Sequence, residues 1–142
     1  MTCALCEPTP YQILWHDDFC RVVLLNDADY PAYCRVELLA HIKEMSDLPP
    51  PARARMMKVV FSVETALRET LKPDKINLAS LGNKTPHIHW HVIPRFEQDK
   101  HFPNSHWGTS MRDGNAKALD STATQALTDK MHMLIACALN AH

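Results

Sequence analysis

Three histidines alternate along one short run, His87-Ile88-His89-Trp90-His91-Val92-Ile93-Pro94-Arg95. Successive side chains of a strand point to opposite faces, so His87, His89 and His91 share one face and Ile88, Trp90 and Val92 the other. Neighbours in such a row stand about 6.5 Å apart along the strand, near enough to serve one small substrate and far enough to do different jobs. Three readings compete. The histidines could be polar residues on a solvent-facing strand, although three in alternation against an apolar opposite face leave little room for coincidence. They could form a metal cage, but ligands at i, i+2 and i+4 of a straight strand span about 13 Å. That is too far for all three nitrogens to come within about 2.1 Å of one ion, so at most two could share a metal. They could act at phosphorus, where a neutral imidazole attacks, a phosphorylated or nucleotidylated histidine forms, and water displaces it. Neighbouring histidines would then hydrogen-bond the phosphate oxygens and help the leaving group depart.

A second group with chemical potential is Cys3-Ala4-Leu5-Cys6, whose two-residue gap lets two thiolates bind one zinc ion. A redox role needs a helix starting just after the first cysteine, which Glu7-Pro8-Thr9-Pro10 opposes. Two exposed thiols on a flexible end are the plain alternative. The five cysteines, Cys3, Cys6, Cys20, Cys34 and Cys137, make a poor disulfide framework and suit a reducing compartment.

The elements that position these groups read as an α+β domain with a mainly antiparallel sheet. Ile13 to His16, Phe19 to Leu25 and Tyr33 to Leu39 are expected strands of a meander. Pro49-Pro50-Pro51 opens a helix that runs to about Leu71, with Met56, Val60, Val63, Leu67 and Leu71 on the face turned to the sheet. Lys75 to Ser80 and the histidine run to about Phe96 are expected neighbouring strands around a loop at Gly82-Asn83-Lys84-Thr85. A closing helix from Ser121 or Thr122 carries Leu127, Met131, Leu134, Ile135 and Ala138 as its apolar stripe. Between them, Glu97 to Asn115 is a polar, aperiodic excursion.

Composition narrows the class. A chain of 142 residues suits one domain spanning 1–142, with a core at about 11–96 and the excursion and helix at 97–142. A formal net charge of -1 gives no general attraction for nucleic acid or anionic membranes, so phosphate recognition must be local. No apolar run approaches the roughly 20 residues needed to span a bilayer, and the first residues lack a basic end followed by an apolar stretch. A soluble, cytoplasmic protein is expected.

At the histidine run the chain resembles the histidine triad (HIT) family of nucleotide hydrolases and transferases, whose signature alternates three histidines with apolar residues and ends on two more. The likeness continues into Ile93-Pro94-Arg95 and takes in Asn77-Leu78, Gly82-Asn83, the helix and the meander, most of the chain up to about residue 96. It implies a HIT-like five-stranded antiparallel sheet with one main helix and a C-terminal helix, the sheet extended across a homodimer. It further implies that His89 is the nucleophile on the α-phosphorus of a nucleotide and forms a nucleotidyl-histidine. His91 would serve the phosphate and leaving group, and a backbone carbonyl would fix the nucleophile's tautomer. The implied substrates are dinucleoside polyphosphates, nucleoside phosphoramidates and aminoacyl adenylates. A nucleotide-binding regulatory module and a zinc-dependent hydrolase are the alternatives.

Some bacterial members bind zinc through a cysteine pair, a histidine after the third strand and the first triad histidine. His41 and His87 occupy those places, so the resemblance implies a closed structural set of Cys3, Cys6, His41 and His87 and no organic cofactor. Ligation would make His87 a support and not a nucleophile. This chain departs from the family where Gly-Gln is commonly followed by serine or threonine, having Gly82, Asn83 and Lys84 instead. Asn83 could offer an amide to phosphate, and Lys84 could offer a cation or be simply a solvated loop lysine. A usual Gly-His pair near the third strand is replaced by Tyr33-Cys34, which removes an expected nucleotide contact. Asn26 or Asp27 could meet a ribose or simply form a turn, and Asn77 could be a ligand or a structural amide. His101, His106 and Trp107 could cover the site or reach a partner subunit, with packing the expected role of Trp107.

Overall fold

Short β-branched runs pair in chain order at the start of the molecule, whose residues 2–141 are described by a computed structural model. Strands β1 (Gln12–His16), β2 (Cys20–Leu24) and β3 (Cys34–Leu38) form the expected antiparallel meander. Asp17 closes the first turn by accepting the backbone N–H groups of Phe19 and Cys20 at 2.8 and 2.9 Å. Helix α1 (Pro50–Leu71) opens on proline and stops where Lys72 takes φ 52, its N–H donating to the Arg68 carbonyl. Strands β4 (Lys75–Ala79) and β5 (His89–Arg95) follow, and helix α2 (Ser121–Asn140) closes the fold. Asp120 caps α2 by accepting the Ala123 N–H at 2.7 Å.

The sheet order is β1-β2-β3-β5-β4, antiparallel throughout. Inserting β5 between β3 and β4 places the histidine strand inside the sheet. Its two faces differ sharply. Val22, Cys34, Val36 and Val92 pack against Met56, Val60, Val63 and Leu67 of α1 and Leu127, Met131 and Ile135 of α2, burying apolar area that drives the fold. The opposite face carries Arg21, Arg35, Glu37, His89 and His91. No described helix is long and apolar enough to cross a membrane.

One boundary differs from expectation in a way that matters. The histidine strand begins at His89, and His87 lies in a bend before it. The His87 N–H turns back to the Thr85 carbonyl at 2.8 Å, while Ile88 exchanges bonds with Ile42 and Leu38. His87 therefore leaves the straight-strand geometry that would keep it in row with His89 and His91.

The excursion after β5 is ordered by a single carboxylate. Asp99 accepts from Arg95 Nε and Nη2 at 2.8 and 3.0 Å and from the backbone N–H groups of Phe96, His101 and Phe102. Tyr30 adds its hydroxyl from the β2–β3 loop at 3.2 Å. Burial alone would raise the Asp99 pKa, but Arg95 and these backbone donors bring it down to about 2. Because the folded value lies below the ordinary 3.8, the carboxylate stabilises the fold above that pH and loses the contribution as pH falls toward about 2. Asp99→Ala leaves the buried Arg95 without its counter-charge and should cost about 3–5 kcal/mol in urea unfolding at neutral pH. The gap between wild type and variant should close as pH falls from 3.8 toward about 2.

Candidate active site and metal centre

The candidate metal-ligating group assembles from three distant segments. A one-turn 3-10 helix at Ala4–Cys6, with the Cys6 N–H bonded to the Cys3 carbonyl at 3.1 Å, brings both thiols together. His41 enters just after β3, and His87 from the bend before β5. Cys3 Sγ lies 3.4 Å from His87 Nδ1, Cys6 Sγ 3.6 Å from the same nitrogen and 3.4 Å from His41 Nδ1, and the two Nδ1 atoms are 3.2 Å apart. A tetrahedral ion with bonds of about 2.3 Å to sulfur and about 2.0–2.1 Å to nitrogen requires edges of about 3.3–3.4 Å between nitrogens and about 3.6 Å between sulfur and nitrogen. The residues fit a metal ion.

The His87 tautomer agrees. Its Nε2 sits 2.6 Å from the Leu38 carbonyl, which can only accept, so Nε2 carries the proton and the Nδ1 lone pair faces the cluster. The side chain is 1% exposed, and burial pushes its pKa below the ordinary value, favouring the neutral ligand form. Arg21 fastens the cysteine turn to β2 by donating to the carbonyls of Leu5 and Glu7 at 3.3–3.4 Å.

His89 and His91 occupy the same face of β5, their rings 5.0 Å apart. His89 Nδ1 is 2.6 Å from the His87 backbone carbonyl. That carbonyl accepts, so Nδ1 holds the proton and Nε2 keeps its lone pair. The family resemblance implied a carbonyl here without identifying it.

His91 Nδ1 is 2.6 Å from the Tyr33 hydroxyl. Burial raises the Tyr33 pKa, so it stays a phenol. Tyr33 has no other hydroxyl partner among the described residues, so it donates to Nδ1 and His91 keeps its proton on Nε2. Burial, then the neighbouring His89 and Arg35, depress the His91 pKa to about 3. Tyr33, which in sequence seemed only to remove a contact, instead holds a triad histidine. Its odd-numbered alternation with Arg35 and Glu37 was the available signal.

The excursion folds back over its own chain. The Trp107 ring lies 4.9 Å from that of His91, and His106 stands between Tyr33, Tyr30 and Trp107 while meeting Asp27 at 3.1 Å. Trp107 packs against the His91 and His106 rings, the role expected of it, while remaining 49% exposed.

Other candidates are dispersed. Asn77 Oδ1 accepts from Arg95 Nη1 at 2.8 Å, whereas Asn26 at the end of β2, and Asn83 and Lys84 in the loop before His87, are exposed. Sequence reasoning missed a buried ion network on the histidine face. Glu37, 0% exposed, accepts from Arg21 Nε at 2.7 Å and from Arg35 Nε at 2.5 Å.

A family model described as the HIT domain matches residues 7–98. A curated relative, "Adenylylsulfatase HINT3" of Arabidopsis thaliana, is 24% identical over 135 residues, covering 89% of this chain and 66% of its own length. Among solved structures, the chain is similar to a histidine triad protein from Bradyrhizobium japonicum, at 28% identity and TM-score 0.71 over 88% of this chain and 90% of that one. One from Sinorhizobium meliloti is 25% identical with TM-score 0.68 over 85% and 87%. A Zn-bound histidine triad family protein from Mycobacterium smegmatis shares the fold at 22% identity and TM-score 0.63 over 91% and 89%.

The metal geometry makes a direct prediction. Purified protein should hold one ion per chain by elemental analysis, and Cys6→Ser or His41→Ala should each weaken its affinity by more than about 100-fold.

Proposed function

This chain belongs to the HIT domain family, and from that membership we propose that it cleaves nucleotides at the α-phosphorus through a covalent nucleotidyl-His89 intermediate. One observation carries the reading. The His87 carbonyl fixes the His89 proton on Nδ1 and frees Nε2 as the nucleophile. In the first step, the Nε2 lone pair forms a bond to phosphorus while the bond to the leaving group breaks, its electron pair staying with that group. Water then attacks the same phosphorus and gives up a proton to solvent, the P–N bond breaks with its electron pair returning to Nε2, and neutral His89 and a nucleoside monophosphate result. His91, holding its proton on Nε2, offers a hydrogen bond to the phosphate and leaving group.

Candidate substrates are dinucleoside polyphosphates, nucleoside phosphoramidates and aminoacyl adenylates, with adenylyl sulfate added by the Arabidopsis relative. Asn26, Asn77, Asn83 and Lys84 are the proposed nucleotide contacts. Asn77 would have to exchange its bond with Arg95, so the exposed Asn26, Asn83 and Lys84 are the simpler candidates.

The Cys3, Cys6, His41 and His87 set is proposed to hold zinc, which mixed thiolate and imidazole donors favour. The Mycobacterium smegmatis relative is Zn-bound. Four protein ligands complete a tetrahedron, the pattern of structural sites, whereas catalytic zinc keeps a position open. Bound there, zinc would supply rigidity, tying the N-terminal turn to the residue whose carbonyl orients His89. We further propose a cytoplasmic homodimer in which β4, at one edge of the sheet, pairs with its counterpart and so covers that edge.

Intact-mass analysis during turnover of an adenylylated substrate should show a transient gain of one adenylate. His89→Ala should lose the adduct and at least about a thousandfold in kcat. Full turnover by the variant overturns the nucleophile assignment, and tight nucleotide binding with no turnover by the wild type would favour the regulatory module.

A further inference from the structure

Arg35 has more donors than its structural role uses. Strand register sets Arg35 opposite His91 and Glu37 opposite His89, and directly opposed residues share a face with Cβ atoms about 4.5–5.5 Å apart. Glu37 is satisfied from both sides, by Arg21 on one oxygen and Arg35 on the other. Arg21 then spends its terminal nitrogens on the carbonyls of Leu5 and Glu7. Arg35 does not. Only its Nε is bonded, and its two terminal nitrogens have no protein acceptor among the described residues. The guanidinium lies 5.4 Å from the Tyr11 ring centroid, which supports its plane without consuming a donor. Two guanidinium groups against one carboxylate leave a surplus positive charge, carried by the residue that strand register sets across from His91.

The chemistry of departure gives that charge a use. An amine leaving a phosphoramidate needs a proton, and His91, held neutral by burial with its pKa lowered to about 3, has a hydrogen bond to lend but little acidity to spend. An oxyanion of a strong acid leaves without a proton and requires a countercharge. When the P–O bond breaks, the electron pair stays on the departing oxygen. A planar fork of N–H donors matches the tetrahedral or carboxylate oxygens that then carry the charge.

We propose that the terminal nitrogens of Arg35 form the subsite for an anionic leaving group, so that the site prefers nucleotides whose α-phosphate is joined to an oxyanion over those joined to an amine. This rests on the reading that the α-phosphorus is attacked at His89, and it adds the leaving-group class and the residue that selects it. An Arg35 that only neutralised Glu37 would duplicate Arg21 and need no unbonded terminal donors.

The test compares adenylyl sulfate with adenosine 5′-phosphoramidate in the wild type, Arg35→Gln and Arg35→Lys, each kcat/KM ratio taken within one preparation so that it is independent of the active fraction. Arg35→Gln should lower kcat/KM for adenylyl sulfate by about 100-fold and that for the phosphoramidate by less than about threefold, with Lys between. An equal fall on both substrates overturns the proposal by placing Arg35 on the α-phosphate or in the scaffold, and an unchanged ratio does the same. Titration of inorganic sulfate into the protein saturated with AMP reads the subsite without turnover. Binding in the wild type that weakens at least about tenfold in Arg35→Gln supports it, and equal or absent binding overturns it. Absence of the His89 adduct bears on the attack at phosphorus, whereas the sulfate titration bears on Arg35 alone.

Discussion

The His87 peptide and imidazole join the two halves of the site. Its ring is pinned by Nε2 to the Leu38 carbonyl and presents Nδ1 to Cys3, Cys6 and His41. Its own carbonyl accepts from His89 Nδ1. Freezing that residue fixes the tautomer of the next triad member, because a carbonyl has only one role in a hydrogen bond. The bend at His87 makes this possible. A continuous strand would have pointed the ring along the row and committed its carbonyl to a neighbouring strand. Anything that orders the N-terminal turn therefore bears on the orientation of His89 two residues away.

Electrostatics divides the same face of the sheet between neutral and charged groups. Burial favours neutral His87 and His91, as ligation and hydrogen-bond donation require. Charge is carried by Arg21, Glu37 and Arg35 on the strands beside them. Guanidinium groups remain protonated where imidazoles do not, so the field over the site is set by arginines while the histidines stay neutral. Tyr33 links the two sets by holding His91 from the edge of β3.

The segment after β5 shows how order arises without periodicity. Six hydrogen bonds converge on Asp99 from Arg95, Tyr30 and three backbone N–H groups. A polar loop held in this way costs far less than its length suggests, since loop-closure entropy grows only slowly with chain length. The result is a wall of His106 and Trp107 beside His91, supplied by the chain itself.

Sequence alone determined the elements, their chain order and the alternation of the histidines, because these depend on local period and residue type, whereas the Cys3, Cys6, His41 and His87 set was implied only by the resemblance to a known family. Alternation in β5 put His89 and His91 on one face, the proline run started α1, and the apolar stripes of both helices found the sheet. Tertiary structure decided everything that pairs residues far apart in the chain. Which carbonyl holds His89, which hydroxyl holds His91, how Trp107 reaches the triad and which arginine keeps unbonded donors all follow from strand register and loop closure. No local pattern encodes these. Arg35 reads in sequence as an ordinary alternating polar residue, and it gains a role only when β5 inserts beside β3 and sets it across from His91.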